Sequence, residues 1–302
     1  MTGTSGTNDS KHVLVVGASG LIGAIVARCF ASAGHRVLGT YNSHPRDGLT
    51  RLNISDQEQT MSTVRAFRPS LVVHAGAMAN VDLCEIERES CYKVNVMGTQ
   101  NLIESAAAIG AKLIYFSSDY IFDGRSGPYS ENDIPNPLNF YGVCKLEGER
   151  MIQKQLGDFL IARTTVVYGW ERQGKNFVMS VISNLRRGEM MRIPSDQVGT
   201  PTYADNIAQA LLDLFRTGQT GVFNIAGPEL MDRHTLANLV AETFDLRKEL
   251  LIPISTADLG QKAARPLKAG IRIDKLRSVS SVRMLPPREA LRLMKESPQG
   301  SL

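Results

Sequence analysis

The feature that most restricts the fold of this chain is an apolar run that leads through a glycine-rich turn into a helix. Residues 12–16 read HVLVV, residues 17–23 read GASGLIG, and a helical pattern extends from residue 21 to residue 34. A buried strand followed by such a turn and a helix is the opening of a strand–helix–strand unit. Units of this kind build parallel sheets, so the first 34 residues already favour a parallel α/β fold.

The same alternation of strand and helix patterns continues along the chain. We predict further strands at residues 36–41, 71–77, 112–118, 159–164 and 222–227, and further helices at 56–67, 84–109, 141–155 and 205–216. Parallel strands need crossover helices, and right-handed crossovers place those helices on both faces of the sheet. The pattern therefore predicts an α/β fold with a doubly wound parallel sheet of the Rossmann type.

Two later segments, residues 170–198 and 229–295, interrupt this regular order. We expect them to form a smaller lobe, while residues 11–169 and about 199–228 form the sheet domain. Residues 1–10 are polar and are predicted to form a flexible tail. Hydrophobic residues make up 43% of the 302 residues, which is enough for a core that needs neither metal nor disulfide.

Composition excludes several classes of function. The 34 Lys and Arg residues are scattered and matched by 30 Asp and Glu, so no nucleic-acid surface is predicted. Cys29, Cys84, Cys91 and Cys144 form no C-x-x-C pair, which argues against a metal site or a disulfide framework. No apolar run reaches the roughly 18 residues that a membrane span requires, and the first residues lack the apolar stretch of a signal peptide. We therefore expect a cytoplasmic protein without a membrane partner.

The glycine-rich turn has the spacing G-x-x-G-x-x-G, with Gly17, Gly20 and Gly23. Such glycines permit a tight turn, a close approach of the backbone to a pyrophosphate, and close packing of helix on strand. The helix N-terminus adds free N–H groups and a positive dipole. A purely structural turn is the alternative interpretation, because the standard dinucleotide fingerprint is G-x-G-x-x-G. The strand–helix context favours a dinucleotide site, with Ser19, Leu21 and Ile22 completing the loop.

The end of the second predicted strand bears on which dinucleotide binds. An acidic residue there would hold the ribose 2′-hydroxyl of NAD, but the chain has Tyr41, Asn42 and Ser43, with Arg46 nearby. A 2′-phosphate would meet no repulsion and would gain a charge-assisted hydrogen bond from the guanidinium. These residues favour NADPH over NADH, although Asp47 leaves NADH as an alternative.

A tyrosine and a lysine four residues apart, Tyr141 and Lys145, lie on one face of a predicted helix. An ammonium group beside a phenol favours the phenolate, and a phenol tuned in this way can protonate a developing alkoxide. Alone, Y-x-x-x-K is a weak signal. Ser118 ends a predicted strand at the sheet edge where ligands bind, and its hydroxyl would position a carbonyl oxygen. Together these residues predict a ketoreductase with a Ser-Tyr-Lys catalytic set.

Several ordered motifs resemble the dTDP-4-dehydrorhamnose reductase family, a branch of the extended short-chain dehydrogenases. They are GASGLIG at 17–23, FSSDYIFDG at 116–124, PLNFYGVCKLEGE at 137–149, DQVGTPT at 196–202 and ARPLKAGIRIDKL at 264–276. The resemblance implies reduction of a 4-keto nucleotide-linked sugar, bound by the smaller lobe. It also implies an adenine-side contact at Asn53 and Ile54, and it places Asp119 at the substrate. The nicotinamide side would be lined by Ala75, Ala77, Met78 and Ala79.

Two departures from the family and two rival functions accompany this resemblance. Val166 stands where rhamnose reductases typically carry a Trp that contacts the sugar, and the metal-linked acidic surface of the family is absent, so we predict no metal. The motifs are also similar to the regulatory β subunit of methionine adenosyltransferase, which binds NADP as a partner protein. A nucleotide-sugar epimerase or dehydratase is the other alternative. We expect a monomer or homodimer.

Overall fold

A computed structural model of the protein describes residues 10–297. Its strands are β1 His12–Val16, β2 Arg36–Tyr41, β3 Thr50–Arg51, β4 Leu71–His74, β5 Lys112–Ser118, β6 Phe159–Thr164, β7 Val167–Tyr168, β8 Met191–Pro194, β9 Val198–Gly199, β10 Thr202–Tyr203, β11 Gly221–Asn224, β12 Met231–Asp232 and β13 Leu251–Ile254. Its α-helices are α1 Leu21–Ser32, α2 Gln57–Phe67, α3 Val81–Ile86, α4 Arg88–Tyr92, α5 Gly98–Ala107, α6 Phe140–Gln155, α7 Phe177–Arg186, α8 Ala204–Arg216, α9 Arg233–Thr243, α10 Asp274–Val279 and α11 Pro287–Glu296.

Within the described residues, seven strands form one sheet in the order β11-β6-β5-β4-β1-β2-β3. Every neighbouring pair in this sheet is parallel. The chain builds outward from β1 to β2 and β3, then crosses to β4 on the other side of β1. This change of direction opens a crevice at the carboxyl ends of β1 and β4, where ligands of doubly wound sheets bind. The predicted Rossmann-type fold is confirmed.

Both faces of the sheet are buried, because alternate residues of each strand enter different cores. In β1, Val13 and Val15 pack in a core with α1 and α8, whereas Leu14 and Val16 pack in a second core with α2 and α5. Strands covered on both faces carry nearly continuous apolar sequence, as HVLVV does. The sheet is thereby held rigid beneath the loops at its carboxyl edge.

A third apolar cluster lies outside the sheet. It is built from side chains of α7, α9, α11, β8 and β13, among them Val181, Ile193, Leu236, Val240 and Leu291. Its members come from the two segments that interrupt the strand–helix order, together with residues beside them such as Tyr168 and Tyr203. The division into a sheet domain and a smaller lobe stays a proposal, and this separate cluster supports it.

The structure corrects the predicted helix at 84–109, which is not continuous. α3, α4 and α5 are separated by a break at Glu87 and by a π-helical turn, Lys93–Met97. The apolar periodicity continues along the whole segment, so it did not indicate either interruption. The π turn buries the side chain of Asn95, whose amide accepts a hydrogen bond from Met78 N at 2.9 Å and donates one to Met78 O at 3.0 Å. π turns of this kind often mark functional sites.

Two strand predictions were too long, and the remaining elements lie close to the expected bounds. β4 ends at His74 rather than at residue 77, and β11 ends at Asn224 rather than at residue 227. The predicted tail at 1–10 lies outside the described residues except for residue 10, which is exposed. Between residues 10 and 297, no helix is both long and apolar enough to cross a bilayer.

Candidate cofactor and active site

The glycine-rich loop between β1 and α1 has two glycines that the protein's own packing requires. Gly17 adopts φ +80°, and a Cβ there would lie 2.7 Å from the backbone of Gly76. A Cβ on Gly23 would lie 2.3 Å from the carbonyl oxygen of Gly17. Any side chain at these two positions would therefore push α1 away from the strands.

Gly20 differs, because a Cβ there would meet only Gly17 O, at an ordinary 3.5 Å. The fold itself does not demand glycine at Gly20, so the open space beside it is a cradle that a side chain would fill. Gly20 is the N-cap of α1 and offers no side chain to the first turn, which contains no acidic residue. The N–H groups of the first helical turn, among them those of Leu21 and Ile22, have no acceptor within the helix, so the loop fits a pyrophosphate.

The end of β2 provides a cationic environment beside this loop. Tyr41 ends the strand, and Asn42 and Ser43 follow it on the surface. Arg46 is half-buried in the same loop, but the structure shows no contact of its guanidinium with a neighbouring side chain. Lys175 approaches from the segment before α7, with its Nζ 3.5 Å from Nε2 of His44.

The lobe segment that carries Lys175 also touches the glycine-rich loop. Gln173 donates from Nε2 to the carbonyl oxygen of Ser19 at 3.3 Å. Sequence reasoning assigned this segment to the substrate lobe and missed both contacts. They join positions more than 130 residues apart in sequence, and no local pattern in the chain signals them.

The residues predicted to line the adenine side and the nicotinamide side of the cofactor lie on loops at the same edge of the sheet. Asn53 is half-buried, and its side chain accepts from Ser55 N at 3.1 Å. Ile54 is buried, and its carbonyl oxygen accepts from Asn101 Nδ2 at 2.8 Å. Beyond β4 the loop carries the half-buried Ala75, Ala77 and Met78 and the exposed Ala79. Asn95, which sequence reasoning missed, holds this loop through both of its bonds to Met78.

The structure brings Ser118, Tyr141 and Lys145 together. β5 ends at Ser118, and Tyr141 and Lys145 lie about one turn apart on α6. Asn139 caps the start of this helix by accepting a 2.9 Å hydrogen bond from Gly142 N. All three side chains are buried. Lys145 Nζ lies 5.9 Å from the centre of the Tyr141 ring, and the Ser118 hydroxyl lies beside the phenol of Tyr141.

The expected effect of Lys145 on the pKa of Tyr141 is not seen in the structure. We expected Lys145 to lower the pKa of Tyr141, but burial raises the pKa of Tyr141 well above its usual value, and the charge of Asp119 adds to the rise. Lys145 donates to the carbonyl oxygen of Phe116 at 3.0 Å, so its charge is partly directed away from the phenol. Burial lowers the pKa of Lys145 to about 8. At neutral pH the phenol is protonated and the amine is mostly charged.

Asp119 and Val166 lie beside this set. Asp119 accepts hydrogen bonds from Ser118 Oγ at 3.0 Å and from Thr165 Oγ1 at 2.6 Å, and burial raises its pKa to about 6. Val166 is half-buried and adopts φ +44°, a strained conformation for a β-branched residue. Its carbonyl oxygen accepts from Thr202 N at 3.2 Å, which helps to hold that conformation. Strain of this kind is frequent at functional sites.

A buried ion pair behind α6 was not anticipated from the sequence. Glu149 and Arg163 are almost fully buried, and Arg163 donates from Nε to Oε1 at 3.0 Å and from NH2 to Oε2 at 2.7 Å. Arg163 also donates to the carbonyl oxygen of Glu131 at 3.1 Å. The pair fixes the end of β6 against the helix that carries Tyr141 and Lys145. It therefore supports the site from behind.

Comparison with known proteins places the chain among proteins of one family. The RmlD substrate binding domain family matches residues 11–298. Methionine adenosyltransferase 2 subunit beta of Danio rerio is 31% identical over 290 residues, which cover 93% of this chain and 89% of that protein. A dTDP-4-dehydrorhamnose reductase of Aggregatibacter actinomycetemcomitans is 29% identical over 284 residues, which cover 90% of this chain and 94% of that enzyme.

The solved structure of a similar protein also matches nearly the whole chain. The dTDP-4-dehydrorhamnose reductase of Bacillus anthracis, in complex with NADP, superposes with a TM-score of 0.87 and is 26% identical. The match covers 95% of this chain and 99% of that one. The family match over nearly the whole chain, the relatives and the shared fold agree with the motifs seen in the sequence. The chain belongs to the RmlD substrate binding domain family.

Proposed function

We propose that the protein is an NADPH-dependent reductase that transfers hydride to the ketone of a 4-keto nucleotide-linked sugar or a related carbonyl compound. The observation that carries this proposal is the convergence of Ser118, Tyr141 and Lys145 at the sheet edge beside the glycine-rich loop. The substrate class is supported by the reductases among its relatives and structural neighbours.

NADP fits the cofactor cradle for two reasons. The space beside Gly20 fits a pyrophosphate, and Arg46 in the loop after β2 together with Lys175 from the segment before α7 would supply positive charge to a 2′-phosphate. The NADP complex of a related reductase supports the same choice. When bound, the nicotinamide supplies the hydride.

The side chains of the site have distinct roles in this reaction. Ser118 Oγ accepts from Tyr120 N at 3.2 Å, which fixes the hydroxyl so that it can hold a carbonyl oxygen. Tyr141 Oη, protonated at neutral pH, donates its proton to that oxygen as negative charge develops on it. The Lys145 ammonium lies near the phenol and stabilises the negative charge left behind. Asp119 anchors Ser118 and keeps its hydroxyl in place.

A screen of NADPH oxidation tests the reductase proposal. The purified protein would be offered 4-keto nucleotide sugars and simple ketones while absorbance at the NADPH band is followed. We expect substrate-dependent loss of NADPH, with the oxidised cofactor released into solution. An epimerase or dehydratase would instead retain its cofactor through the cycle and show no net oxidation.

A second function is favoured by one specific observation. The similarity to methionine adenosyltransferase 2 subunit beta extends over 93% of the chain, so a regulatory, NADP-binding partner protein is the principal alternative. A pull-down with a methionine adenosyltransferase catalytic subunit tests it. A stable complex without any NADPH oxidation by the panel would replace the reductase proposal with this one.

We predict that NADPH binds more tightly than NADH, and that Lys175 contributes to the difference. Lys175→Met removes a charge beside His44, so the Kd for NADPH should rise about 5–10-fold, while the Kd for NADH should not change. Fluorescence titration of both cofactors measures this. Lys154→Met, which removes an exposed lysine of α6, is the matched control. Tighter binding of NADH than of NADPH by the unsubstituted protein would contradict the cofactor assignment.

The pocket beside Val166 predicts weak use of dTDP-4-dehydrorhamnose. A valine offers much less surface for stacking on a sugar than the Trp of typical rhamnose reductases. We expect kcat/KM for this compound to lie below about 10⁴ M⁻¹s⁻¹, the lower end of ordinary enzyme efficiency. Steady-state assays with this compound and with other 4-keto sugar nucleotides provide the comparison. Efficient turnover of dTDP-4-dehydrorhamnose would mean that another residue supplies the missing contact.

A further inference from the structure

A cationic side chain of the smaller lobe lies near the candidate active site, and among the described residues its guanidinium makes no salt bridge. Arg233 begins α9, and the Asp232 carboxylate before it is occupied as the helix cap, accepting from Thr235 N at 2.8 Å and Thr235 Oγ1 at 2.6 Å. Throughout residues 10–297 the guanidinium of Arg233 has neither a hydrogen-bond acceptor nor an ion-pair partner, although the residue is half-buried. Its N–H donors are therefore available to a ligand.

The backbone connects Arg233 to the catalytic strand end in a few steps. Arg233 N donates to the carbonyl oxygen of Gln197 at 3.1 Å. Two residues later, Gly199 lies next to Thr165, because a Cβ on it would be in ordinary contact with Thr165 Oγ1 at 3.5 Å. Thr165 Oγ1 in turn donates to Asp119 at 2.6 Å. The start of α9, with Arg233, thus lies close to Thr165 and Asp119.

The guanidinium is also oriented. Its central carbon lies 5.0 Å from the centre of the Phe177 ring, a cation–π contact that fixes the position of the charge and leaves the N–H groups available as donors. Its positive charge lowers the pKa of Asp119 and of Tyr120, whereas burial raises both. Arg233 therefore acts electrostatically on the residues next to Ser118.

We propose that Arg233 binds an anionic group of the substrate, a phosphate or a carboxylate, and selects substrates that carry one close to the reacting carbonyl. An oriented arginine with free edge donors suits such groups, because two parallel N–H bonds match two oxygens of a phosphate or a carboxylate. In a nucleotide-linked sugar the phosphate attached to the sugar would be this group. The proposal rests on the reductase function above and specifies which substrates its pocket accepts.

Binding of small anions tests this role without knowledge of the natural substrate. Inorganic pyrophosphate, dTDP and galacturonate would be titrated calorimetrically into the full-length protein saturated with NADP⁺, which blocks the cofactor's own phosphate site. For Arg233→Met we expect about 10–100-fold weaker binding of the preferred anion, with NADPH affinity and Tm unchanged. Arg233→Lys keeps the charge but not the paired donors, so its anion affinity should fall by less than that of Arg233→Met. Arg247→Met removes an exposed arginine of the same lobe and serves as the matched control.

The probes separate the two chemical sources of the anion. Loss confined to pyrophosphate and dTDP identifies a phosphate site, and loss confined to galacturonate identifies a carboxylate site. Equal affinities of all three anions for the Arg233→Met and unsubstituted proteins overturn the proposal, as does a lowered Tm with unchanged anion binding. The reductase function is judged separately by NADPH oxidation. Anion binding that depends on Arg233 supports the site even where no ketone of the panel is reduced.

Discussion

Phenylalanine in place of Tyr141 is expected to lower kcat by about 10²–10⁴-fold while leaving the Kd for NADPH nearly unchanged. The substitution removes one oxygen and keeps the ring, which packs edge-on against Tyr120 with centroids 5.9 Å apart. The helix should therefore stay in place, and only the proton donor is lost. Steady-state kinetics on a substrate found in the NADPH screen, with a cofactor titration and a melting curve, provide the measurement.

Methionine in place of Lys145 should behave differently. The ammonium stabilises the charge on Tyr141, and we also expect it to hold the ribose of the nicotinamide half, so both kcat and NADPH affinity should fall. The buried position favours an apolar replacement, because removing the charge also removes the cost of desolvating it. A lowered Tm for either variant would indicate a structural role instead.

The pair of variants also separates the rival functions. Full turnover by Tyr141→Phe on the true substrate contradicts the assignment of Tyr141 as proton donor. A protein that binds NADPH, reduces nothing and is indifferent to both substitutions would behave as a regulatory partner. In that case the catalytic motif would have been retained for cofactor binding alone.

Local sequence predicts those features of the molecule that depend on residues close together in the chain. The turn GASGLIG and the Tyr141–Lys145 spacing each act within one or two helical turns, and the structure places the turn between β1 and α1 as expected. Apolar runs bounded by polar turns likewise located the strands, since strands buried on both faces need continuous hydrophobic sequence.

The parts that escaped prediction depend on contacts between distant residues. Asn95 interrupts a helix because it hydrogen-bonds a loop 17 positions earlier, and Lys175 meets His44 across 131 positions. The predicted lowering of the pKa of Tyr141 was wrong for the same reason. Spacing alone indicated a nearby ammonium, but burial by surrounding elements and the Phe116 carbonyl determine the outcome.

The Glu149–Arg163 pair leads to the largest stability effect that we predict. Glu149 is fully buried and receives three of its hydrogen bonds from the Arg163 guanidinium. Arg163→Met would leave a buried carboxylate without its counter-charge, which typically costs about 3–5 kcal/mol of unfolding free energy. For a chain of this size we expect Tm to fall by roughly 6–10 °C. Arg187→Met, in an exposed pair with Glu189, should change Tm little.

A double variant distinguishes the ion pair from simple packing. In Arg163→Met/Glu149→Leu neither charge remains, and apolar side chains of similar size fill the space, so most of the lost stability should return. If the double variant is as unstable as Arg163→Met, the bond from Arg163 to Glu131 or the contact with Phe122 matters more than the pair. Because the pair holds β6 against α6, recovery of Tm without recovery of kcat would show that the charges also align Tyr141 and Lys145. Recovery of both would limit the pair to a structural role.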